Sequence, residues 1–308
     1  MASGSTPTNA PRAIWIWEED SYRMLDHDNA WQEVSSFLSQ HQISTMYLYA
    51  DKYKDRNILV NEPDKYRKLI ASAHQRGFKV FALLGSWYLN TPEYILPKKR
   101  AAAIQMFANV LTYNKNTQDT LSLFDGINID IEPYLLDDWS TSRPVRGQQY
   151  LDLSSTFMRM KADSGLSLQV GPAMPFWYSG IEDVEWNKQH RTYNEYVQDI
   201  YDYIAIMDYR NVAEGSDSIT SLVQEELDYA DKTGKKVMIG VETLDTTPVK
   251  VTFYGKDNKY FEEQLALAQS SLSRHPSFAG FVIHNLSSYR KLVEGHHETL
   301  NSKKKKSK

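Results

Sequence analysis

The sequence predicts a single (β/α)8 TIM barrel, and three observations support this fold class. Eight strand-like apolar runs alternate with helix-like segments along the 308 residues, without a linker between them. Several runs are nearly continuous in β-branched and apolar residues, as in parallel strands buried on both faces. A doubly wound open sheet, the alternative fold, would begin with a glycine-rich turn, whereas this chain has WIWEEDSYR there.

Turn residues and helix-ending glycines set the boundaries of the eight repeats. Strands are predicted at 13–19, 45–51, 79–87, 126–133, 166–177, 203–210, 235–243 and 280–286. Helices are predicted at about 29–41, 63–76, 92–114, 144–163, 193–199, 217–232, 259–274 and 287–294. We expect one barrel domain over 12–295, with disordered segments at 1–11 and in the Lys-rich tail 296–308.

The composition is that of an ordinary globular protein, with 41% hydrophobic and 24% charged residues. No segment reaches the roughly 20 apolar residues of a membrane span, so we expect none. The lysines of the tail leave an acidic body, which argues against nucleic acid as the main partner. The chain has no cysteine and, as written, no signal peptide; this fits the cytoplasm, or a secreted protein whose signal was removed.

The most informative segment is FDGINIDIEPY, residues 124–134. Isoleucines alternate in it with Asn128, Asp130 and Glu132, so the period of two in a strand sends the three polar side chains to one face. An ionised carboxylate taken out of water must be paired or must shift its pKa. Pro133 then ends the strand, which places both acids at its C-terminal end, where barrel active sites lie.

The C-terminal ends of the other strands supply further acids and aromatic rings to the same end of the barrel, called its mouth below. They are Trp17 and Glu18, Tyr49 and Asp51, Ser86 and Trp87, Met174, Phe176 and Trp177, Asp208, Tyr209 and Arg210, Glu242, and His284 and Asn285. Aromatic faces stack on sugar rings, and a pair of acids performs glycosidic cleavage. The pattern favours a carbohydrate substrate as the partner.

Other classes of site find little support. No P-loop, GxGxxG or GxSxG motif occurs, and the eight histidines are scattered without metal-ligand spacing. We therefore expect no cofactor and no metal. The sugar, the linkage and the oligomeric state are left open.

Two motifs carry a resemblance to a known family. The segment 125–132, DGINIDIE, resembles the DGxDxDxE signature of glycoside hydrolase family 18, the chitinases and their relatives, on the fourth barrel strand. The resemblance implies that Glu132 is the general acid, that Asp130 orients the 2-acetamido group of the substrate, and that Asp125 supports them. The segment 206–209, IMDY, is similar to the family's strand-six Met-x-Tyr motif and implies that Tyr209 contacts the acetamido group.

Three positions depart from the family pattern. Asn128 replaces the middle Asp of the signature, and Arg210 stands where an acidic residue usually follows the strand-six Tyr. His284 lies on the eighth strand, where the family has the Trp that floors the sugar site.

These observations assign two sets of site residues. The catalytic candidates are Glu132, Asp130, Asp208, Tyr209 and Glu242. The substrate-binding candidates are Trp17, Tyr49, Trp87, Tyr134, Trp177, Arg210 and His284.

The favoured function is a chitinase-like glycoside hydrolase acting on a β-linked glycan, and three alternatives stay open. One is a retaining glycosidase with Glu132 as acid/base and Glu242 as nucleophile. Another is a catalytically silent, chitinase-like lectin. The third is a barrel lyase or isomerase in which Asp130, Glu132 and Asp208 together bind a divalent metal.

Overall fold

The computed structural model describes residues 9–295 and shows a closed barrel of eight parallel strands, which confirms the predicted fold class. Every neighbouring pair is parallel, and the first strand pairs with both the second and the eighth. The strands are β1 (Arg12–Ile16), β2 (Ile43–Tyr49), β3 (Lys79–Leu84), β4 (Gly126–Ile129), β5 (Gln169–Pro175), β6 (Tyr203–Met207), β7 (Lys236–Glu242) and β8 (Phe278–His284).

The helices cover the outside of the barrel. They are α1 (Glu18–Asp26), α2 (Asp28–Gln40), α3 (Ile58–Asn61), α4 (Pro63–Gln75), α5 (Arg100–Lys115), α6 (Trp139–Ser164), α7 (Tyr193–Ile200), α8 (Gln224–Thr233), α9 (Asn258–Leu272) and α10 (Leu286–Glu294). Short 3-10 turns and a hairpin of two-residue strands, Glu185–Trp186 and Gln189–His190, lie in the connections. Among the helices of residues 9–295, none combines the length and the hydropathy that a membrane span requires.

The barrel has two apolar layers because side chains alternate along each strand. The outward side chains of β1, such as Ile14 and Ile16, pack in the large core between the sheet and the helices. The inward side chains fill the barrel itself: Ala13, Trp15, Tyr47, Leu83, Ala173, Tyr203, Ala205 and Val282. The interior of the barrel is therefore filled by side chains.

Several predicted strands are too long at their C-terminal ends. The strand predicted at 13–19 ends at Ile16, and α1 begins at Glu18. Three acids, Glu18, Glu19 and Asp20, occupy the first turn of α1, where the positive end of the helix dipole favours negative charge. The fourth strand likewise ends at Ile129, so Asp130 and Glu132 lie just beyond its pairing with β5.

Two predicted helices also differ from the structure. The helix predicted from Pro92 to Asn114 is split into a 3-10 turn, Thr91–Ile95, and α5. The helix predicted at 217–232 begins only at Gln224, after a series of turns. Of the two segments predicted to be disordered, 296–308 and residues 1–8 of the first lie outside the described residues.

Candidate active site

Asp130 and Glu132 enter one cavity at the C-terminal end of the barrel, with a volume of about 320 Å³. Ile129 and Ile131, the neighbours of Asp130 in the sequence, are buried on the opposite side of the chain, as the alternation predicts. The cavity is lined by Trp15, Trp17, Glu18, Trp87, Asp130, Glu132, Ala173, Met207, Tyr209, Leu244 and His284. The structure thus brings six of the predicted site residues, from the C-terminal ends of five strands, to one space.

Asp130 is held by its backbone and has a carboxylate with unused hydrogen-bonding capacity. Its N–H donates to the carbonyl of Leu84 at 2.6 Å. Its Oδ1 is buried and has no hydrogen-bond partner within residues 9–295. Burial, and then the negative charges of Glu132 and Glu18, raise the pKa of Asp130 well above its usual value.

Glu132 lies next to Asp130 and is held by a tyrosine. Burial raises the pKa of Glu132, while a hydrogen bond from the Tyr134 hydroxyl and the nearby His284 act in the opposite direction. Tyr134 packs edge-on against the Trp177 ring, with 5.0 Å between the ring centroids. Tyr134 and Trp177 therefore do not line the cavity; Tyr134 holds Glu132 in place, and Trp177 packs against Tyr134.

A hydrogen-bonded chain links Trp17, His284 and Glu242 across the mouth. The Trp17 Nε1–H donates to His284 Nε2 at 2.8 Å, so in a neutral imidazole the proton sits on Nδ1. His284 Nδ1 contacts Glu242 Oε2 at 2.8 Å and Oε1 at 3.0 Å. These hydrogen bonds fix the indole of Trp17 and the imidazole of His284 as walls of the cavity.

Glu242 itself lies behind His284 and is not part of the lining. In addition to His284, its Oε1 accepts the backbone N–H groups of Thr243 at 2.8 Å and Leu244 at 2.7 Å. A carboxylate engaged in this way is not free to attack a sugar. The geometry therefore argues against Glu242 as the nucleophile and assigns it to positioning His284.

The cavity also contains a third carboxylate, Glu18, which the sequence-based assignment of catalytic and binding residues missed. Glu18 begins α1 and accepts a hydrogen bond from the hydroxyl of Ser86, just after β3. The signal that could have found it was its place directly after an apolar strand that ends at the barrel mouth.

Two aromatic candidates line the cavity in different ways. Tyr209 is partly buried beside His284, with 6.1 Å between the ring centroids. Trp87 lies at the rim and is 80% exposed, which leaves its ring available to a ligand.

Three further predicted site residues do not line the cavity. Asp208 is fully buried and shares its side of β6 with the outward Ile204 and Ile206. Arg210 is also buried and points to Asp217, with Nε to Oδ1 at 2.6 Å.

The third is Tyr49, whose buried hydroxyl donates to the carbonyl of Lys52 at 2.8 Å. In all three cases the residue follows or ends a strand, but its side chain is on the outward side or is used within the fold.

Asn128 fills the place of the middle acid of the signature and acts within the barrel interior. It accepts the indole N–H of Trp15 at 2.8 Å through Oδ1. Its amide nitrogen donates to the Tyr203 hydroxyl at 3.2 Å and to the carbonyl of Gly171 at 3.3 Å. An aspartate could not donate these two bonds, so Asn suits a buried position that must both accept and donate.

Comparison with known proteins gives structural neighbours only, since no family model and no curated protein matches the chain. A glycoside hydrolase family 18 chitinase from Cycas revoluta, in complex with (GlcNAc)3, matches with a TM-score of 0.57 at 10% identity, over 91% of this chain and 96% of that one. An exo-beta-1,4-mannosidase from an Opitutaceae bacterium, strain TAV5, has a TM-score of 0.55 at 11% identity, over 92% and 54%.

Concanavalin B matches with a TM-score of 0.50 at 14% identity, over 92% of this chain and 95% of that one. The chain thus has a TIM-barrel fold of the glycoside-hydrolase type, with distant structural similarity to family 18 chitinases and chitinase-like proteins.

Proposed function

We propose that this barrel is a glycoside hydrolase that cleaves a β-linked glycan, with Glu132 as general acid and Asp130 as the assisting carboxylate. The observation that carries the proposal is the placement of both acids in one cavity whose walls include Trp15, Trp17 and Trp87. Burial raises the pKa of both carboxyl groups, so the pair keeps a proton to higher pH than free carboxylic acids do.

The proposed first step transfers the Glu132 proton to the glycosidic oxygen as the bond from that oxygen to the anomeric carbon breaks. The bonding electron pair leaves with the oxygen. The carbonyl oxygen of the sugar's own 2-acetamido group forms the new bond to the anomeric carbon. Asp130 supports this step because its Oδ1 is free to accept the acetamido N–H and to balance the positive charge that develops.

In the second step, the Glu132 carboxylate takes a proton from water, and the water oxygen attacks the anomeric carbon. The bond to the acetamido oxygen breaks, and the sugar leaves with its original anomeric configuration. Since Glu132 must begin protonated, activity falls as the pH rises through the raised pKa of the acid pair.

The structure argues against two of the three alternative functions and is compatible with the third. A Glu242 nucleophile is disfavoured because that carboxylate binds His284 and two backbone N–H groups. A metal held jointly by Asp130, Glu132 and Asp208 is disfavoured because Asp208 is outside the cavity. A silent lectin would use the same cavity, and only an activity measurement separates it from the enzyme.

The test is the variant Glu132→Gln, which keeps the size of the side chain but cannot donate the proton. We expect release of reducing ends from chitin oligomers or peptidoglycan fragments, whose sugars carry the 2-acetamido group, to fall about 10²- to 10⁴-fold, with glycan binding retained. Proton NMR of the first product from the wild type should show the retained β-anomer.

The matched control is Glu182→Gln, since Glu182 is exposed and lies outside the cavity. Equal turnover by wild type and Glu132→Gln would contradict the assignment of the acid. An inverted product would contradict the assisted mechanism, and saturable binding without turnover by either protein would favour the lectin.

A further inference from the structure

We propose that a second cavity, beside Trp17, is a further sugar subsite that takes the next unit of the glycan and disfavours a carboxylate-bearing unit. The inference rests on the proposed function. This second cavity has a volume of about 450 Å³ and is lined by Trp17, Glu18, Glu19, Asp20, Arg23, Tyr53, Asn285 and Ser287. That volume is within the range of small-molecule sites, about 300–1,000 Å³.

The two cavities share part of their lining. Trp17 and Glu18 line both of them. The indole N–H of Trp17 donates to His284 Nε2 at 2.8 Å, so the ring that lines both cavities is held in place. A linear glycan with one unit at Asp130 and Glu132 can therefore place a neighbouring unit in the second cavity, against the same fixed ring.

The lining has the chemistry that sugar recognition requires, an aromatic wall with hydrogen-bonding groups around it. The ring of Tyr53 is fixed by edge contacts with Tyr22 and Tyr88, with centroids 5.5 Å and 5.4 Å away. The amide of Asn285 and the hydroxyl of the exposed Ser287 lie at the start of α10.

The charges of the lining restrict the class of sugar. Glu18, Glu19 and Asp20 contribute three carboxylates against the single cation Arg23. Arg23 Nη2 lies 3.6 Å from Asp20 Oδ1, and Arg23 Nη1 lies 4.0 Å from Glu33 Oε2. The guanidinium charge of Arg23 is therefore already paired with two carboxylates of the protein. A uronic acid unit would be repelled, whereas a neutral or an amine-bearing unit would not.

The test measures binding in the Glu132→Gln background, in which cleavage does not disturb the titration. Dissociation constants for the chitin dimer and pentamer are measured by calorimetry. We expect the pentamer to bind at least about tenfold more tightly, and Ser287→Trp, which fills the second cavity, to reduce this ratio to about twofold. Ala101→Trp, at an exposed position in the first turn of α5, is the matched control.

A second variant tests the charge. Glu19→Lys should weaken binding of the N-deacetylated pentamer more than binding of the acetylated pentamer, because Glu19 is an exposed acid of this cavity. Equal affinity for dimer and pentamer in the parent, or an equal loss of both in Ser287→Trp, would overturn the subsite. The wild type could cleave none of the glycans while Ser287→Trp still removes the dependence of affinity on oligomer length. That result would overturn the hydrolase function and support the subsite.

Discussion

Glu18 shows how a single residue can set the protonation of the acid pair. It reaches the cavity from the start of α1 and is held by the Ser86 hydroxyl. After burial and the charge of Glu132, the charge of Glu18 is the next cause that raises the pKa of Asp130. The contribution of Glu18 to the pKa of Asp130 is therefore electrostatic. A substitution of Glu18 removes this contribution and leaves both acids of the pair in place.

Glu18→Gln should move the alkaline limb of the pH–activity profile to lower pH. Removing a negative charge near Asp130 lowers the pKa of that carboxyl group, so the acid pair loses its proton at lower pH. The measurement is kcat/KM against pH on the best oligosaccharide substrate. Glu182→Gln is again the control, and an unchanged alkaline limb in Glu18→Gln would refute the electrostatic role.

At the scale of elements, the connection after β3 sets the position of Asp130. Gly85 has φ of +109°, a conformation that L side chains rarely adopt. A Cβ at Gly85 would lie 2.0 Å from the backbone oxygen of Asp130. The close approach of the two chain segments at the barrel mouth therefore requires glycine at this position.

Gly85→Ala should lower the free energy of unfolding by about 2 kcal/mol or more and reduce turnover per folded molecule, since the added methyl group displaces Asp130. Gly77→Ala is a matched control, because Gly77 also has a positive φ, +84°, but an added Cβ there would lie within 4 Å of no residue in 9–295 other than its chain neighbours. Urea unfolding and activity are measured on both. Similar losses in the two variants would show that the contact with Asp130 is unimportant.

At the scale of the whole molecule, acids buried outside the cavity make stability depend on pH. Glu226 on α8 is fully buried, and neither carboxylate oxygen has a hydrogen-bond partner within residues 9–295. Burial raises the pKa of Glu226 to about 8. Asp208 is equally buried, and burial raises its pKa as well, with a further contribution from Glu226.

The wild type should lose stability as the pH rises from about 4.5, the ordinary pKa of Glu226, to about 8, its pKa in the fold. In this interval the unfolded chain has released the proton that the folded chain still holds, so rising pH favours unfolding. Glu226→Gln should lose clearly less stability across the same interval, as measured by urea unfolding at several pH values. The exposed neighbour variant Glu225→Gln should follow the wild type, and parallel curves for all three would contradict the assignment to Glu226.

The sequence by itself determined the barrel and the two acids at the C-terminal end of its fourth strand. Strand periodicity and hydrophobic content are local properties, and they placed all eight strands in order. The same alternation sent Asp130 and Glu132 to one side of the chain, and both line the cavity. These features depend only on residues near one another in the chain, so a pattern can reveal them.

Only the tertiary structure decided which strand-end residues face the cavity and which partners they find. Tyr209 lines it, but its neighbours Asp208 and Arg210 do not, because the alternation of side chains continues past Met207, where β6 ends. Glu242 and His284 are 42 residues apart, and Trp17 and His284 are 267 apart. Glu242 meets His284 because β7 pairs with β8, and Trp17 meets His284 because closure of the barrel brings β1 beside β8. Local spacing in the sequence reveals neither pairing.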